Sequence, residues 1–152
     1  MYNPINIENF SIKDKEKVLD LLNRSELPTE DLADEKMNNF MVARNKDDSI
    51  IGVIGIEMYQ ENGLLRSLAV HHAYRKKGVG SRLTRKIESF AMQKGLKTLY
   101  LLTMTAADFF SKMGYEVTQR NKVPKSIEQT EEFKNICPVS AACLFKVLDY
   151  DE

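Results

Sequence analysis

With 152 residues, of which 43% are hydrophobic and 29% charged, the chain has a globular composition and is long enough to bury a core. Its 22 Lys and Arg residues balance 22 Asp and Glu residues, so overall charge favours neither nucleic acid nor an anionic membrane as partner. No apolar run approaches the roughly 20 residues of a membrane span, and a signal-peptide core is absent. We therefore expect one cytoplasmic domain over residues 1–152, with no nucleic-acid or membrane partner.

The two cysteines, Cys137 and Cys143, are too few for a disulfide framework or for a zinc site with four protein ligands. We expect both to be free thiols, and we expect Cys143 to be buried because it lies in a strand pattern. His71 and His72 are adjacent, so the sequence predicts that their side chains diverge and do not chelate a metal. No metal site is therefore predicted.

The first part of the chain predicts a strand, two helices and an antiparallel meander. Ser11 and Asp14 have the spacing of a capping box with the shorter acid, which places a helix start there. Gly52 and Gly55 lie inside a predicted strand, where glycine indicates a bulge or a close approach of another part of the chain. Glu61-Asn62-Gly63 is typical of a hairpin turn. The predicted strands are 2–10, 40–44 and 50–60, and the second helix is predicted over 31–39.

The next stretch combines a strand, a basic turn and a helix. Leu64–Val70 is an apolar run that predicts a strand. After the turn, apolar residues recur at helical spacing over Val79–Ala91, and Lys94-Gly95 is typical of a helix end. Because this helix begins directly after the turn, its free N–H groups and its dipole favour an anion such as phosphate at that point.

The last third of the chain predicts short alternating helices and strands. Thr98–Thr103 is apolar on both faces, which is typical of a buried strand that pairs in parallel with Leu64–Val70 through the intervening helix. Gly114 is expected to end a short helix. The remaining elements are helices over 105–113 and 124–133 and strands over 115–118 and 140–148. The sequence therefore predicts a mixed α/β (α+β) fold.

Two common phosphate-binding motifs do not fit the sequence of the basic turn. A Walker loop requires Gly-Lys followed by Ser or Thr, which the turn lacks, and a dinucleotide fingerprint requires a third glycine where Leu83 stands. The turn instead reads Arg-x-x-Gly-x-Gly, with Arg75, Gly78 and Gly80. The alternative is a solvated basic turn that caps a core helix without a ligand.

This pattern, between a strand and an amphipathic helix, resembles the pyrophosphate-binding motif of the GCN5-related N-acetyltransferase (GNAT) superfamily. The order of elements resembles that superfamily over about residues 5–148. The resemblance implies a mostly antiparallel sheet flanked by helices, in which Leu64–Val70 and Thr98–Thr103 splay apart to admit the cosubstrate acetyl-CoA. The residues expected to bind it are Leu68, Ala69, Val70, Arg75, Lys76, Lys77, Gly78, Val79, Gly80, Ser81, Thr103 and Phe110. For Arg75, both a bond to the phosphate and a bracing of the loop are open.

Several segments resemble, more narrowly, the arsenic-resistance branch of these acetyltransferases. They are the two predicted parallel strands, Asp108-Phe109-Phe110 with Gly114-Tyr115, Val123-Pro124 and the segment 137–141. This resemblance implies an N-acetyltransferase whose acceptor is an amino-acid-like arsenical.

Acetyl transfer requires a polarised carbonyl and a deprotonated amine. The resemblance implies that an N–H near Leu68 or Ala69 faces the thioester oxygen. Glu57 is the predicted base, because partial desolvation between apolar neighbours increases a carboxylate's affinity for a proton. Arg66 and Ser67 point to opposite faces of an extended strand, so one of them is expected to bind the acceptor's carboxylate or the oxyanion. The alternative is a structural ion pair between Arg66 and Glu57.

The acid that protonates the leaving thiolate is less defined. Many members of the superfamily carry a tyrosine where this chain has Phe110, which cannot donate a proton. Either the thiolate leaves unassisted or a substitute acts, the candidates being Ser111, Thr103, Thr105, Tyr74 and water.

The sequence therefore predicts an acetyl-CoA-dependent N-acetyltransferase that acts on the amine of a small molecule. One alternative is a non-catalytic acyl-CoA-binding sensor, which the phenylalanine in place of tyrosine favours. Another is a protein or peptide acetylase. The oligomeric state stays open between a monomer and a homodimer.

Overall fold

The computed structural model describes residues 5–148, which form seven strands and five α-helices. The strands are β1 (Asn6–Asn9), β2 (Met41–Arg44), β3 (Ile50–Tyr59), β4 (Asn62–Val70), β5 (Thr98–Thr103), β6 (Glu116–Thr118) and β7 (Ala142–Val147). The helices are α1 (Lys15–Arg24), α2 (Asp34–Met37), α3 (Val79–Gln93), α4 (Ala107–Lys112) and α5 (Lys125–Glu128). A π-helical turn, Glu132–Ile136, lies between α5 and β7.

Across the described residues, the strands form one mixed sheet in the order β1-β2-β3-β4-β5-β7-β6. β4 and β5 are parallel, with Asn62 opposite Thr98 and Leu64 opposite Tyr100. The pairs β1–β2, β2–β3, β5–β7 and β6–β7 are antiparallel. The mixed α/β class and the parallel pairing through an intervening helix are confirmed, whereas the splaying of β4 and β5 stays a prediction.

The described residues group into two units, each with its own apolar core. The first unit consists of 5–56 and 67–89, and the second of 57–66 and 90–148. The core of the first unit includes Val18, Leu22, Phe40, Val42 and Val53. The core of the second unit includes Leu64, Ile127, Phe133 and Cys143. The single domain expected over 1–152 stays a prediction.

A buried ion-pair cluster joins the start of α1 to the sheet within the first unit. The Arg44 guanidinium donates to the carboxylates of Glu8 on β1 and Asp14, and Arg44 and Asp14 are buried. Burial alone would lower the pKa of Arg44, but the hydrogen bond to Glu8 and the charges of Asp14, Glu8 and Asp48 raise it overall. The predicted capping box is wrong, because Asp14 binds Arg44 and Ser11 makes no side-chain cap bond.

Two predicted boundaries at the start of the chain and at the β3–β4 hairpin need correction. The strand predicted over 2–10 is β1 over its described part, and residues 2–4 of that prediction lie outside the described residues. The hairpin turn lies one step earlier than predicted, at Gln60 and Glu61, with Gln60 in the left-handed region at φ 59°. Asn62 and Gly63 belong to β4, where they pair with β5 and so take an extended conformation.

The glycine at position 55 makes room for an aromatic ring within the first unit. A Cβ on Gly55 would lie 2.3 Å from Cε1 of Phe40, far inside van der Waals contact. Phe40 is 1% exposed and belongs to the apolar core. The prediction of a close approach at this glycine is therefore confirmed, and the approaching group is a side chain.

The helix predicted over 124–133 is two shorter elements. Pro124 is the residue before α5, with φ −60° and ψ 154°, and the α-helix ends at Glu128. The chain then forms the π-helical turn, in which the N–H of Cys137 donates to the carbonyl of Glu132 at 3.0 Å. This five-residue spacing shifts which side chains face the core, so the helical pattern of the sequence does not extend through it.

Both cysteines are free thiols, as expected, and Cys143 is buried. Burial raises the pKa of the Cys143 thiol to about 11, although the charge of Arg120 acts in the opposite direction. The predicted divergence of His71 and His72 is wrong, because their rings stack with centroids 4.4 Å apart. Among residues 5–148, no helix combines the length and apolarity that crossing a bilayer requires.

Replacing Arg44 by Gln should lower the free energy of unfolding by about 3 kcal/mol, because it leaves the buried Asp14 carboxylate without its guanidinium. Urea unfolding followed by circular dichroism measures this loss. The matched control is Arg24→Gln, since the Arg24–Asp20 pair is 73% and 63% exposed and its loss should cost under about 0.5 kcal/mol. Equal losses for the two variants would contradict a stabilising role of the buried cluster.

Stability should fall between about pH 9 and pH 11, partly because of Cys143. Its folded-state pKa of about 11 is raised above the ordinary value, so the unfolded thiol loses its proton first and the stabilisation is lost as pH rises. In Cys143→Ala, the decline in unfolding free energy across this window should be about 2 kcal/mol smaller than in the parent chain. Urea titrations at pH 8, 9.5 and 11 measure it. An unchanged slope in Cys143→Ala would contradict the account.

Candidate functional site

The turn between β4 and α3 is braced by three hydrogen bonds within the first unit. The N–H of His71 donates to the carbonyl of Ile51 at 2.8 Å, and Nδ1 of His71 accepts from the N–H of Ala73 at 3.1 Å. Nε of Arg75 donates to the carbonyl of Val70, the last residue of β4, at 2.9 Å. Of the two open roles for Arg75, the structure therefore shows the bracing of the loop.

Two residues with left-handed backbone conformation turn the chain into α3. Lys76 has φ 63° and Gly78 has φ 82°. A Cβ built on Gly78 would meet no atom within 4 Å, so the space beside this residue is open. A glycine is favoured here by its backbone angle, and the lack of a side chain also leaves the helix start accessible to a ligand.

The first turn of α3 presents backbone donors at this open point. The N–H of Arg82 donates to the carbonyl of Gly78 at 3.0 Å, which is the first main-chain bond of the helix. Helix geometry therefore leaves the N–H groups of Val79, Gly80 and Ser81 without an acceptor inside the helix. The helix is 15 residues long, so its dipole adds positive potential at the same end.

The cations of the loop are exposed beside these donors. Lys76 and Lys77 are exposed, and Nζ of Lys77 lies 5.9 Å from the ring centroid of Tyr74. The hydroxyl of Tyr74 accepts from Nδ2 of Asn45 at 2.9 Å. The loop thus combines backbone donors, a helix dipole and exposed positive charge, which together suit a pyrophosphate group.

The residues of β4 that precede the loop include a strained position. Ser67 is 8% exposed and adopts φ 61°, which is rare for a residue other than glycine. The expectation that Arg66 and Ser67 point to opposite faces assumes an extended backbone, and it does not apply at this step. Leu68 and Val70 are partly exposed, whereas Ala69 is buried. The loop and these strand residues belong to the same unit.

A second group of predicted residues forms a buried polar cluster in the second unit. Nη1 of Arg66 donates to Oε2 of Glu57 at 2.7 Å, and the hydroxyl of Tyr59 donates to Oε1 of the same carboxylate. Nε of Arg66 lies 3.5 Å from Oε1 of Glu132 in the π-helical turn. The Arg66 side chain is 0% exposed, and Glu57 is 6% exposed. The structure therefore contains the ion pair that the sequence offered as the alternative for Arg66.

Two members of this cluster were not predicted from the sequence. Tyr59 lies two residues after Glu57 on β3, and residues at this spacing share a face of a strand, so this signal was available. Glu132 has no comparable local signal, because the π-helical turn that places it is not indicated by the helical pattern. The Glu57–Arg66–Glu132 group with Tyr59 is called the carboxylate cluster below.

Two further predicted residues, Thr103 and Phe110, lie in the second unit. Oγ1 of Thr103 accepts from the N–H of Ala106 at 2.9 Å, which closes the turn before α4. Phe110 is 5% exposed and packs edge-on against Phe109 and Tyr115, with centroids 5.0 and 5.4 Å away. Their contact with a cofactor stays a prediction.

Residues 36–117 match the family model described as an acetyltransferase (GNAT) domain. An uncharacterized N-acetyltransferase of Chlorobaculum tepidum is 33% identical over 110 residues, which is 72% of this chain and 68% of that protein. An amino-acid acetyltransferase of Pseudomonas syringae pv. syringae is 38% identical over 66 residues, which is 43% of this chain and only 15% of that protein.

A solved structure shares the fold at low sequence identity. N-acetylglutamate synthase from Neisseria gonorrhoeae, complexed with coenzyme A and N-acetyl-glutamate, superimposes with a TM-score of 0.84 at 15% identity. The match covers 98% of this chain and 36% of the synthase chain, so it supports the fold of a part of that protein. The family model and the Chlorobaculum relative show that the chain belongs to the GNAT acetyltransferase family.

Proposed function

We propose that the protein is an acetyl-CoA-dependent N-acetyltransferase that acts on the amine of a small molecule with amino-acid character. The observation that carries the proposal is the start of α3, where the space beside Gly78 is open next to a braced loop and the first-turn N–H groups have no acceptor inside the helix. This arrangement fits a pyrophosphate, and membership of the GNAT family identifies the pyrophosphate as that of acetyl-CoA.

The loop residues hold the cosubstrate through the backbone more than through side chains. The N–H groups of Val79, Gly80 and Ser81 donate to the phosphate oxygens, and the exposed Lys76 and Lys77 add positive charge. Arg75 fixes the loop through the carbonyl of Val70, so it acts on the site without taking a phosphate itself. When bound, acetyl-CoA supplies the thioester that is transferred.

Residues of β3 and β4 supply the remaining chemistry in this proposal. An N–H near Leu68 or Ala69 stabilises the oxygen of the thioester as negative charge develops on it. The Glu57 carboxylate, which accepts hydrogen bonds from Tyr59 and Arg66, takes the proton of the acceptor amine. Phe110 offers no proton to the leaving sulfur, so a hydroxyl or water does so, or the thiolate leaves unassisted.

The descriptions of two similar proteins support an acceptor with amino-acid character. The Pseudomonas relative is named an amino-acid acetyltransferase, and the Neisseria synthase is complexed with N-acetyl-glutamate. This chain spans only 15% and 36% of those two proteins, so their substrates enter here as part of the proposal. The resemblance of several segments to the arsenic-resistance branch adds amino-acid-like arsenicals to the acceptors that we propose.

The competing function, a non-catalytic acyl-CoA sensor, gives a different result in one assay. Incubation with acetyl-CoA and a panel of amino acids, including arsenical and phosphinic analogues, should release free thiol with at least one acceptor. A thermal shift with coenzyme A but no thiol release with any acceptor would support the sensor.

Gly78→Asp should weaken coenzyme A binding at least 30-fold, because a carboxylate at the helix start repels the pyrophosphate and fills its approach. Isothermal titration calorimetry measures the dissociation constant. Gly95→Asp is the matched control, since Gly95 has φ 84°, close to the 82° of Gly78, is equally open and follows the other end of α3. Wild-type affinity in Gly78→Asp would contradict the assignment of the pyrophosphate site.

Glu57→Gln should lower kcat/KM for the amine at least 100-fold, because the amide cannot take the proton of the acceptor. Its affinity for coenzyme A should stay within twofold of the parent value. Thiol release at saturating acetyl-CoA measures the first quantity and calorimetry the second. Glu61→Gln is the control, because Glu61 lies in the exposed hairpin turn and pairs loosely with Lys97 at 3.7 Å. Full activity in Glu57→Gln would remove Glu57 from the proposal.

A further inference from the structure

Arg66 is shared by two buried carboxylates that come from distant parts of the sequence. Its Nη1 donates to Glu57 on β3 at 2.7 Å, and its Nε lies 3.5 Å from Glu132 in the π-helical turn. The side chains of Arg66, Glu57 and Glu132 are 0%, 6% and 5% exposed. At such burial, charges interact more strongly than in water, so each carboxylate affects how the guanidinium binds the other.

The π-helical turn that carries Glu132 is firmly anchored. Its five-residue bond joins Cys137 to Glu132 at 3.0 Å. The hydroxyl of the buried Thr130 donates to the carbonyl of Ile127 at 2.8 Å and accepts from the N–H of Phe133 at 3.3 Å. Nη2 of Arg120 donates to the carbonyl of Phe133 at 2.8 Å. The backbone on both sides of Glu132 is therefore fixed, and its carboxylate is presented to Arg66 from a set position.

We propose that Glu132 is a positioning residue for acetyl transfer, which shares the Arg66 guanidinium with the Glu57 carboxylate and so limits how strongly Arg66 pairs with Glu57. This inference rests on the proposed role of Glu57 as the base. In this role, Glu132 contacts neither the substrate nor the cosubstrate and acts only through Arg66. It assigns a function to the local π-helical geometry, which is rare in proteins and frequent at functional sites.

Removing the charge of Glu132 should shift the protonation equilibrium of Glu57 in one direction, whereas a loss of packing alone predicts no such shift. Within the carboxylate cluster, the titratable or charged groups that bear on Glu57 include Tyr59 on β3, Arg66 on β4 and Glu132 in the π-helical turn. Removing the negative charge of Glu132 leaves the positive charge of Arg66 less compensated, so its attraction for the Glu57 carboxylate increases. The ionised form of Glu57 is then favoured, and Glu57 becomes a weaker base.

The test is the pH dependence of kcat/KM for an amino-acid acceptor in the Glu132→Gln variant. The acidic limb of the profile should move to lower pH by about half a unit to one unit, and kcat at neutral pH should fall about tenfold. The dissociation constant of coenzyme A should stay within twofold. Glu131→Gln is the matched control, because this neighbouring side chain is exposed and bonds only locally to Asn135 at 3.1 Å, so its profile should be unchanged.

Glu132→Asp keeps the inference testable if the amide variant does not fold. The shorter carboxylate withdraws from Nε of Arg66, so the limb should shift in the same direction by less than in Glu132→Gln. A lower melting temperature with an unmoved acidic limb in either folded variant would overturn the positioning role. This result is distinct from failure of the proposed base, which shows as full activity in Glu57→Gln whatever Glu132 does.

Discussion

The candidate site depends on the bracing of the turn between β4 and α3, to which the hydrogen bond from Nε of Arg75 to the carbonyl of Val70 contributes. This bond ties the first residue of the loop back to the strand, so that the left-handed residues Lys76 and Gly78 can direct the chain into the helix. The space beside Gly78 is open, and the first-turn N–H groups of α3 have no acceptor inside the helix. In the function that we propose, Arg75 holds the backbone of the turn and the N–H groups of the helix start bind the phosphate.

Each unit contains a buried arginine whose guanidinium is paired with two carboxylates. In the first unit, Arg44 binds Glu8 and Asp14. In the second unit, Arg66 binds Glu57 and Glu132. Burying such charges has a large desolvation cost, and apolar replacements are often as stable, so retention of a buried cluster does not follow from stability alone. The Arg44 cluster joins β1 to the start of α1, whereas the Arg66 cluster includes the base that we propose.

The sequence predicted what local patterns determine. The helical period of Val79–Ala91, the glycine at φ 84° that follows α3 and the parallel pairing of β5 with β4 were each predicted from a local pattern, and all three are present in the structure. The predictions from sequence were wrong or incomplete where a contact depends on a residue that is distant in sequence. Asp14 has the spacing of a cap residue, yet Arg44 lies 30 residues away and binds it. Glu132 was not predicted because its partner, Arg66, is distant in sequence and its backbone departs from helical period. The loop of the candidate site was therefore predictable, and the carboxylate cluster only in part.

The space beside Gly55 has an evolutionary consequence. Because the ring of Phe40 fills the volume that any side chain at position 55 would need, the two positions cannot vary independently. An alanine at 55 becomes acceptable only with a smaller residue at 40, and a smaller residue at 40 alone leaves a void in the core. Among homologous chains, the sizes of these two residues should therefore covary inversely, because a larger residue at one position requires a smaller one at the other.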